Sequence, residues 1–164
     1  MSTAAAPHPG RPAPAGAHPG KPAPGAARFG HGLVVGAFYP PHAGHHLLVE
    51  TAAARCRRVT VVVAAATTET VPLDLRVAWL RETHAGSPHV HVVGVVDDLP
   101  TDYGSETLWA AHCAVFAAAA GTSVVDAVFS SEEYGPELAR RFGARHVAVD
   151  PGRVRAPVSG TAVR

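Results

Sequence analysis

The chain has 164 residues, of which 47% are hydrophobic and 6% aromatic. That is room for one domain with a core of Ala, Val and Leu. Its formal charge is +1, from 14 Lys and Arg against 13 Asp and Glu, so it lacks the basic surplus of a nucleic-acid binder. No run approaches the ~18 consecutive apolar residues that a membrane helix requires.

Residues 1–27 are mostly Ala, Pro and Gly, with two near-repeats, His8 to Pro14 and His18 to Pro24. Such a segment buries too little apolar surface to offset its ordering entropy. It reads as a disordered tail, and without an apolar stretch it is not a secretory signal. Residues 28–164 form the expected domain.

From residue 32 the pattern changes. Leu33–Val35, Val59–Val63, Val90–Val96, Ala127–Phe129 and His146–Val149 are short apolar runs rich in β-branched residues. They are continuous rather than alternating, which suits strands buried on both faces. Helical stretches separate them: Gly44–Arg57, Leu73–Thr83, the Ala-rich Ser105–Ala120 and Tyr134–Phe142, the last closed by Gly143. Alternating strand and helix predicts an α/β, Rossmann-like open parallel sheet of about five strands with flanking helices.

Counts of single residue types exclude further classes. Lys21, followed by Pro22, is the one lysine in the chain, so there is no Walker A loop and no Schiff-base lysine in the domain. Cys56 and Cys113 lack partners at metal-ligand spacing and read as small core hydrophobes. A reducing, cytoplasmic setting is expected.

In an open parallel sheet, ligands bind beyond the carboxyl ends of the strands. The segment after the first strand reads Gly36-Ala37-Phe38-Tyr39-Pro40-Pro41-His42-Ala43-Gly44-His45. Gly36 permits a tight turn, and the two prolines delay the helix until His42 to Gly44. The free N–H groups of that helix start form an anion site. His42 and His45, three residues apart, share one face of the first turn and are placed to hold phosphate. His42, His45 and His46 could also ligate a metal, but a fourth ligand is not evident. His31, His84, His89, His91, His112 and His146 read as surface or satisfied core histidines, and Gly30-His31-Gly32 is not a dinucleotide fingerprint, because its glycines precede the strand rather than follow it.

The segment Gly36 to His45 resembles the His-x-Gly-His signature of the nucleotidylyltransferase superfamily. Val158-Ser159-Gly160-Thr161-Ala162-Val163-Arg164 is similar to that superfamily's Ile-Ser-x-Thr-x-x-Arg motif. Leu75 to Leu80, Asp97 to Trp109, Phe129 to Glu132 and Val149 to Pro151 resemble the NadR type, in which a nicotinamide-nucleotide adenylyltransferase domain precedes a ribosylnicotinamide kinase. The resemblance covers residues 32–164 and implies the transfer of AMP from ATP to nicotinamide mononucleotide, giving NAD and pyrophosphate, with Mg²⁺ accompanying ATP. The mononucleotide's phosphate would attack the α-phosphorus directly, so positioning and charge neutralisation matter most.

Carried onto this chain, the resemblance makes His42, His45 and Arg164 the catalytic residues. Gly36, Ala37, Phe38, Tyr39, Gly44, Ser131, Glu132, Ser159 and Thr161 would bind ATP. Trp109 is the candidate for stacking on the nicotinamide ring, or else a core tryptophan. Arg76 would meet a phosphate, or else lie exposed on its helix. A homo-oligomer is in keeping with the family. Transfer to another phosphate acceptor, or nucleotide binding without catalysis, remain open alternatives. Ala37 stands where relatives often carry Lys or Arg, which removes a cation from the triphosphate site. The chain ends at Arg164, so the domain is expected to be truncated at its C-terminal end, with a frayed last motif.

Overall fold

The computed structural model describes residues 28–157. Nine elements follow one another: β1 (Phe29–Gly36), α1 (Ala43–Arg55), β2 (Cys56–Ala65), α2 (Leu73–Thr83), β3 (Val90–Val96), α3 (Glu106–Ala120), β4 (Ala127–Ser130), α4 (Gly135–Arg141) and β5 (Arg145–Ala148). All five strands are parallel, in the order β3-β2-β1-β4-β5. The expected α/β sheet is therefore present. The expected disordered tail, residues 1–27, and the last motif, Val158 to Arg164, lie outside the described residues.

The continuous apolar runs are explained by burial on both faces. Val34, Val59, Val61, Val63, Ala127 and Phe129 pack on one side with Leu48, Val49 and Ala52 of α1 and Val77 and Leu80 of α2. Their sequence neighbours Leu33, Val35, Val62 and Val128 pack on the other with Trp109 and Ala120 of α3 and Leu138 and Ala139 of α4. Adjacent strand residues point to opposite faces, so helices on both faces leave no polar side to the central strands. Each fully buried valine contributes about 1.5–3 kcal/mol relative to exposure.

Several boundaries differ from those expected, most of all at β1, α1 and β2. β1 starts at Phe29, so Gly30-His31-Gly32 lie within the strand rather than ahead of it. Gly32 is there because of packing: a Cβ would stand 2.6 Å from Cys56 Sγ and 3.1 Å from the Phe129 ring. α1 ends at Arg55, and β2 begins at the next residue, with Cys56 already extended. Burial pushes the Cys56 thiol up to about 11, which makes it an inert core group. Gly143 takes a left-handed conformation (φ 62°) just beyond α4, the expected closing role.

The strand order reverses direction between β1 and β4. Chain leaving β1 turns to one face, and chain leaving β4 turns to the other. The carboxyl ends of these two strands thus open a crevice that no crossover fills.

Candidate functional site

The loop leaving β1 is rigidly built. Phe38 is buried and left-handed (φ 49°), with its ring against Gly36 and its centroid 4.6 Å from that of His45. A non-glycine residue holds such a backbone only where its surroundings over-determine it. The Tyr39 hydroxyl accepts the Thr70 N–H at 2.9 Å and lies 2.6 Å from Thr70 Oγ1. Arg76 of α2 completes the support. Its Nη1 donates to Ala37 O at 2.9 Å, its Nε and Nη2 donate to Val71 O at 2.9 and 2.6 Å, and it pairs with Glu69. Its guanidinium also lies 4.5 Å over the Tyr39 ring. Arg76 is 1% exposed, not an exposed helix arginine, and its donors are committed to the protein.

The two histidines cap α1. His42 is its N-cap, and His42 Nδ1 accepts the Gly44 N–H at 3.1 Å. His45 Nδ1 accepts the His42 N–H at 3.3 Å. The rings stack with centroids 3.7 Å apart. A ring nitrogen that accepts a bond carries no proton, so each neutral imidazole keeps its N–H at Nε2. Burial, with the neighbouring histidines and Arg153 adding to it, pulls the His45 pKa down to about 3. Burial and Arg153 lower His42 in the same direction. The pair thus offers two neutral Nε2–H donors at a helix N-terminus, an arrangement suited to phosphate oxygens. His46 turns away from the pair, to His84 at 3.1 Å.

The crevice wall opposite α1 comes from β4 and β5. Ser131 Oγ donates to Val149 O at 2.6 Å, joining the two strand ends. Glu132 pairs with Arg153 at 2.7 Å. Asp150 (φ 44°) accepts the N–H groups of Val154, Arg155 and Ala156. Desolvation opposes these bonds, but together they hold its carboxyl below the usual range. Gly36, Phe38, Gly44, His42, His45, Ser131 and Glu132 all border this one crevice, together with Asp150 and Arg153. Sequence reasoning missed the last two as site residues. The Pro151-Gly152 turn directly after a strand end was the available signal.

A cavity of about 220 Å³ adjoins the crevice, sharing Gly36 and Tyr134 with it. Trp109, Tyr103, His112, Phe116, Asp97 and Asp102 border it, as does Ala37. Trp109 is both core and cavity wall: it is 9% exposed and packs with Leu138 and Phe142. Its Nε1–H donates to Tyr103 O at 3.1 Å, and the two rings lie 5.7 Å apart. Tyr39 and Arg76 support the loop from behind. Ser159, Thr161 and Arg164 lie outside the described residues.

An open parallel sheet with four flanking helices and its crevice at the β1/β4 switch point defines a Rossmann-like α/β fold. Solved structures share it. A NadR protein in complex with NR superposes with a TM-score of 0.62 at 23% identity, covering 84% of this chain and 41% of that one. A NadR protein in complex with NAD and AMP-PNP gives 0.61 at 23% identity, covering 84% and 42%. A bifunctional NMN adenylyltransferase/ADP ribose pyrophosphatase from Francisella tularensis gives 0.57 at 13% identity, covering 74% and 38%. In sequence, the chain is 27% identical over 150 residues to the trifunctional NAD biosynthesis/regulator protein NadR of Escherichia coli (strain K12). That match covers 81% of this chain and 36% of the relative, so the chain spans about a third of the relative's length. No family model matches. In sequence the chain is similar to NadR, and it shares its fold with NadR and with an NMN adenylyltransferase.

Proposed function

We propose that the domain transfers AMP from ATP to nicotinamide mononucleotide, giving NAD and pyrophosphate. The observation that carries this reading is the stacked, neutral His42–His45 pair at the start of α1, next to an aromatic-walled cavity. ATP would lie in the crevice, with its phosphates on the Nε2–H groups of the pair and the N–H groups of the α1 start. Gly36 lets the nucleotide approach the backbone, and Ser131 and Glu132 flank its ribose side. The mononucleotide would lie in the cavity with its ring on Trp109 and its phosphate directed through the shared Gly36 wall toward the α-phosphorus.

The proposed reaction is a single in-line displacement. An oxygen of the mononucleotide phosphate forms a bond to the α-phosphorus as the bond to the pyrophosphate oxygen breaks. No side chain takes a proton. Charge builds on the α-phosphoryl and leaving oxygens, where preorganised neutral donors act without the reorganisation cost that water incurs. Ser159, Thr161 and Arg164 are proposed to take the β- and γ-phosphates and the departing pyrophosphate. Mg²⁺ is proposed to arrive as MgATP. The crevice carboxylates suit that role: Asp150 is committed to three backbone N–H groups and Glu132 to Arg153.

The test is NAD formation from MgATP and nicotinamide mononucleotide, with His45→Ala as control. Product from the unaltered chain and a large loss in the variant support the reading. ATP binding without NAD formation in either overturns it. Among mononucleotides, the one that raises the melting temperature alongside an ATP analogue identifies the acceptor.

A further inference from the structure

The outer wall of the aromatic cavity is the segment from Asp97 to Tyr103, and it is tied to α3 at two places. Trp109 Nε1–H holds Tyr103 O. His112, three residues further along the same helix, reaches the other end. Its Nδ1 lies 2.5 Å from Asp97 Oδ2 and its Nε2 lies 2.9 Å from Pro100 O. One partner is a carboxylate and the other a carbonyl, and both only accept. A neutral imidazole has one N–H, so it would satisfy one contact and set lone pairs against each other in the other. An imidazolium satisfies both at once.

We propose that His112, as an imidazolium, is the positioning residue that clamps residues 97–103 as the wall of the acceptor cavity, and that its deprotonation releases this wall. The assignment of the cavity to the acceptor rests on the reading under Proposed function. His112 touches the wall, and the wall, through Tyr103 on Trp109, shapes the surface that meets the ring.

The groups facing His112 agree with this role. Asp97, just after β3, is the one acidic group paired with it among the described residues. Asp98 is turned away and accepts from Thr67 N–H and Oγ1–H. Asp102 and Tyr103, from the wall itself, and Tyr134, from the segment after β4, border the same cavity. On α3 the neighbours are Cys113 and the Phe116 ring, 6.0 Å from the imidazole centroid. Apart from His112 itself, no cationic side chain borders the cavity among the described residues, although Arg141 of α4 lies 5.2 Å over the Trp109 ring. Burial disfavours the charged imidazole, but the bonds to Pro100 O and Asp97 outweigh it and hold its pKa above the ordinary histidine value. A raised pKa keeps the clamp closed below it, and the clamp opens as pH rises through it.

Trp79, half-exposed on α2, and Trp109 are the two tryptophans of the chain. In a Trp79→Phe background, the emission comes from Trp109 without a second tryptophan, and the His112→Gln control separates the wall from the other groups around its ring. Without substrate, the emission should follow one transition centred above the ordinary histidine range. His112→Gln should abolish that transition, and Asp97→Asn should move it to lower pH. With substrates, KM for nicotinamide mononucleotide should rise severalfold across the same transition while KM for ATP stays level. In His112→Gln the KM for the mononucleotide should be raised at every pH and flat. A transition that survives His112→Gln, or parallel movement of both KM values, overturns the clamp. Loss of the transition in His112→Gln without any turnover of the mononucleotide supports the clamp and overturns the acceptor assignment instead.

Discussion

Arg76 on α2 grips the carbonyl of Ala37, 39 residues earlier, at 2.9 Å. The same guanidinium takes Val71 O and Glu69 and covers the Tyr39 ring. One buried cation therefore sets the path of the chain as it leaves β1, just ahead of the histidine pair. Its planar fork does what a lysine ammonium does not, which is to serve two carbonyls and a carboxylate in one plane.

Arg76→Ala should accordingly act on the fold before it acts on the reaction. Removing one partner of a buried ion pair costs about 3–5 kcal/mol. Arg76→Lys should recover only part of that loss. Urea unfolding of the three proteins checks this. An Arg76→Ala protein of unchanged stability with a raised KM for ATP would return the residue to a phosphate-binding role.

His42 and His45 should separate by their effects. His42 both caps α1 and offers Nε2–H, so His42→Ala should lose about 1 kcal/mol of stability along with activity. His42→Asn restores a capping oxygen but not the donor, so it should recover stability and stay inactive. His45→Ala should lower kcat by about 10²–10³, the effect of losing one preorganised donor. Melting curves beside NAD formation rates read both quantities.

The pH dependence of stability has a definite sign. The folded pKa of His45 lies near 3, below its ordinary value of 6.5. Between those values the unfolded chain binds a proton that the folded chain refuses. The stability His45 contributes by staying neutral is whole above about pH 6.5 and is lost progressively as pH falls toward 3. His45→Asn should flatten that slope between pH 6.5 and 4.5. Urea midpoints of the two proteins across this range give the comparison; equal slopes would refute it.

Gly32→Ala should destabilise by about 1–3 kcal/mol, because its Cβ meets Cys56 Sγ at 2.6 Å. In a Cys56→Ala background the same substitution should cost less, since the obstructing sulfur is gone. A double-mutant cycle measures the coupling.

Much of the architecture was legible because it is local. α2 and β3 start and stop where the sequence says, at Leu73–Thr83 and Val90–Val96. Pro72 cannot continue a preceding helix and sits at the α2 N-cap, and the valine run of β3 is bounded by Pro88 and the Asp97-Asp98 pair. The histidine pair was legible for the same reason, since one helical turn brings both rings together. β2 begins three residues before the expected Val59 and ends two after Val63; its start is hidden because exposed Arg57 and Arg58 look unlike a buried strand. They are strand because β1 is already in register beside them, with His31 opposite Arg58. Arg76 is hidden from sequence for a topological reason. Its partners come from two loops that only the fold brings together. Asp150 and Arg153 lie on the crevice wall through β4–β5 pairing, which no local pattern announces.

The direct passage from Arg55 of α1 into Cys56 of β2 has a mechanical consequence. A helix of 13 residues is about 20 Å long, and here its far end is spliced into a ladder strand without slack. α1 cannot slide along its axis unless β2 shears against β1 and β3. The two imidazoles at its near end are therefore carried on a stiff strut anchored in an interior strand of the sheet. The β3–α3 connection has the opposite character, long and fastened at a few side-chain points. The histidine side of the crevice is the anvil, and whatever motion accompanies binding belongs to the side walled by residues 97–103.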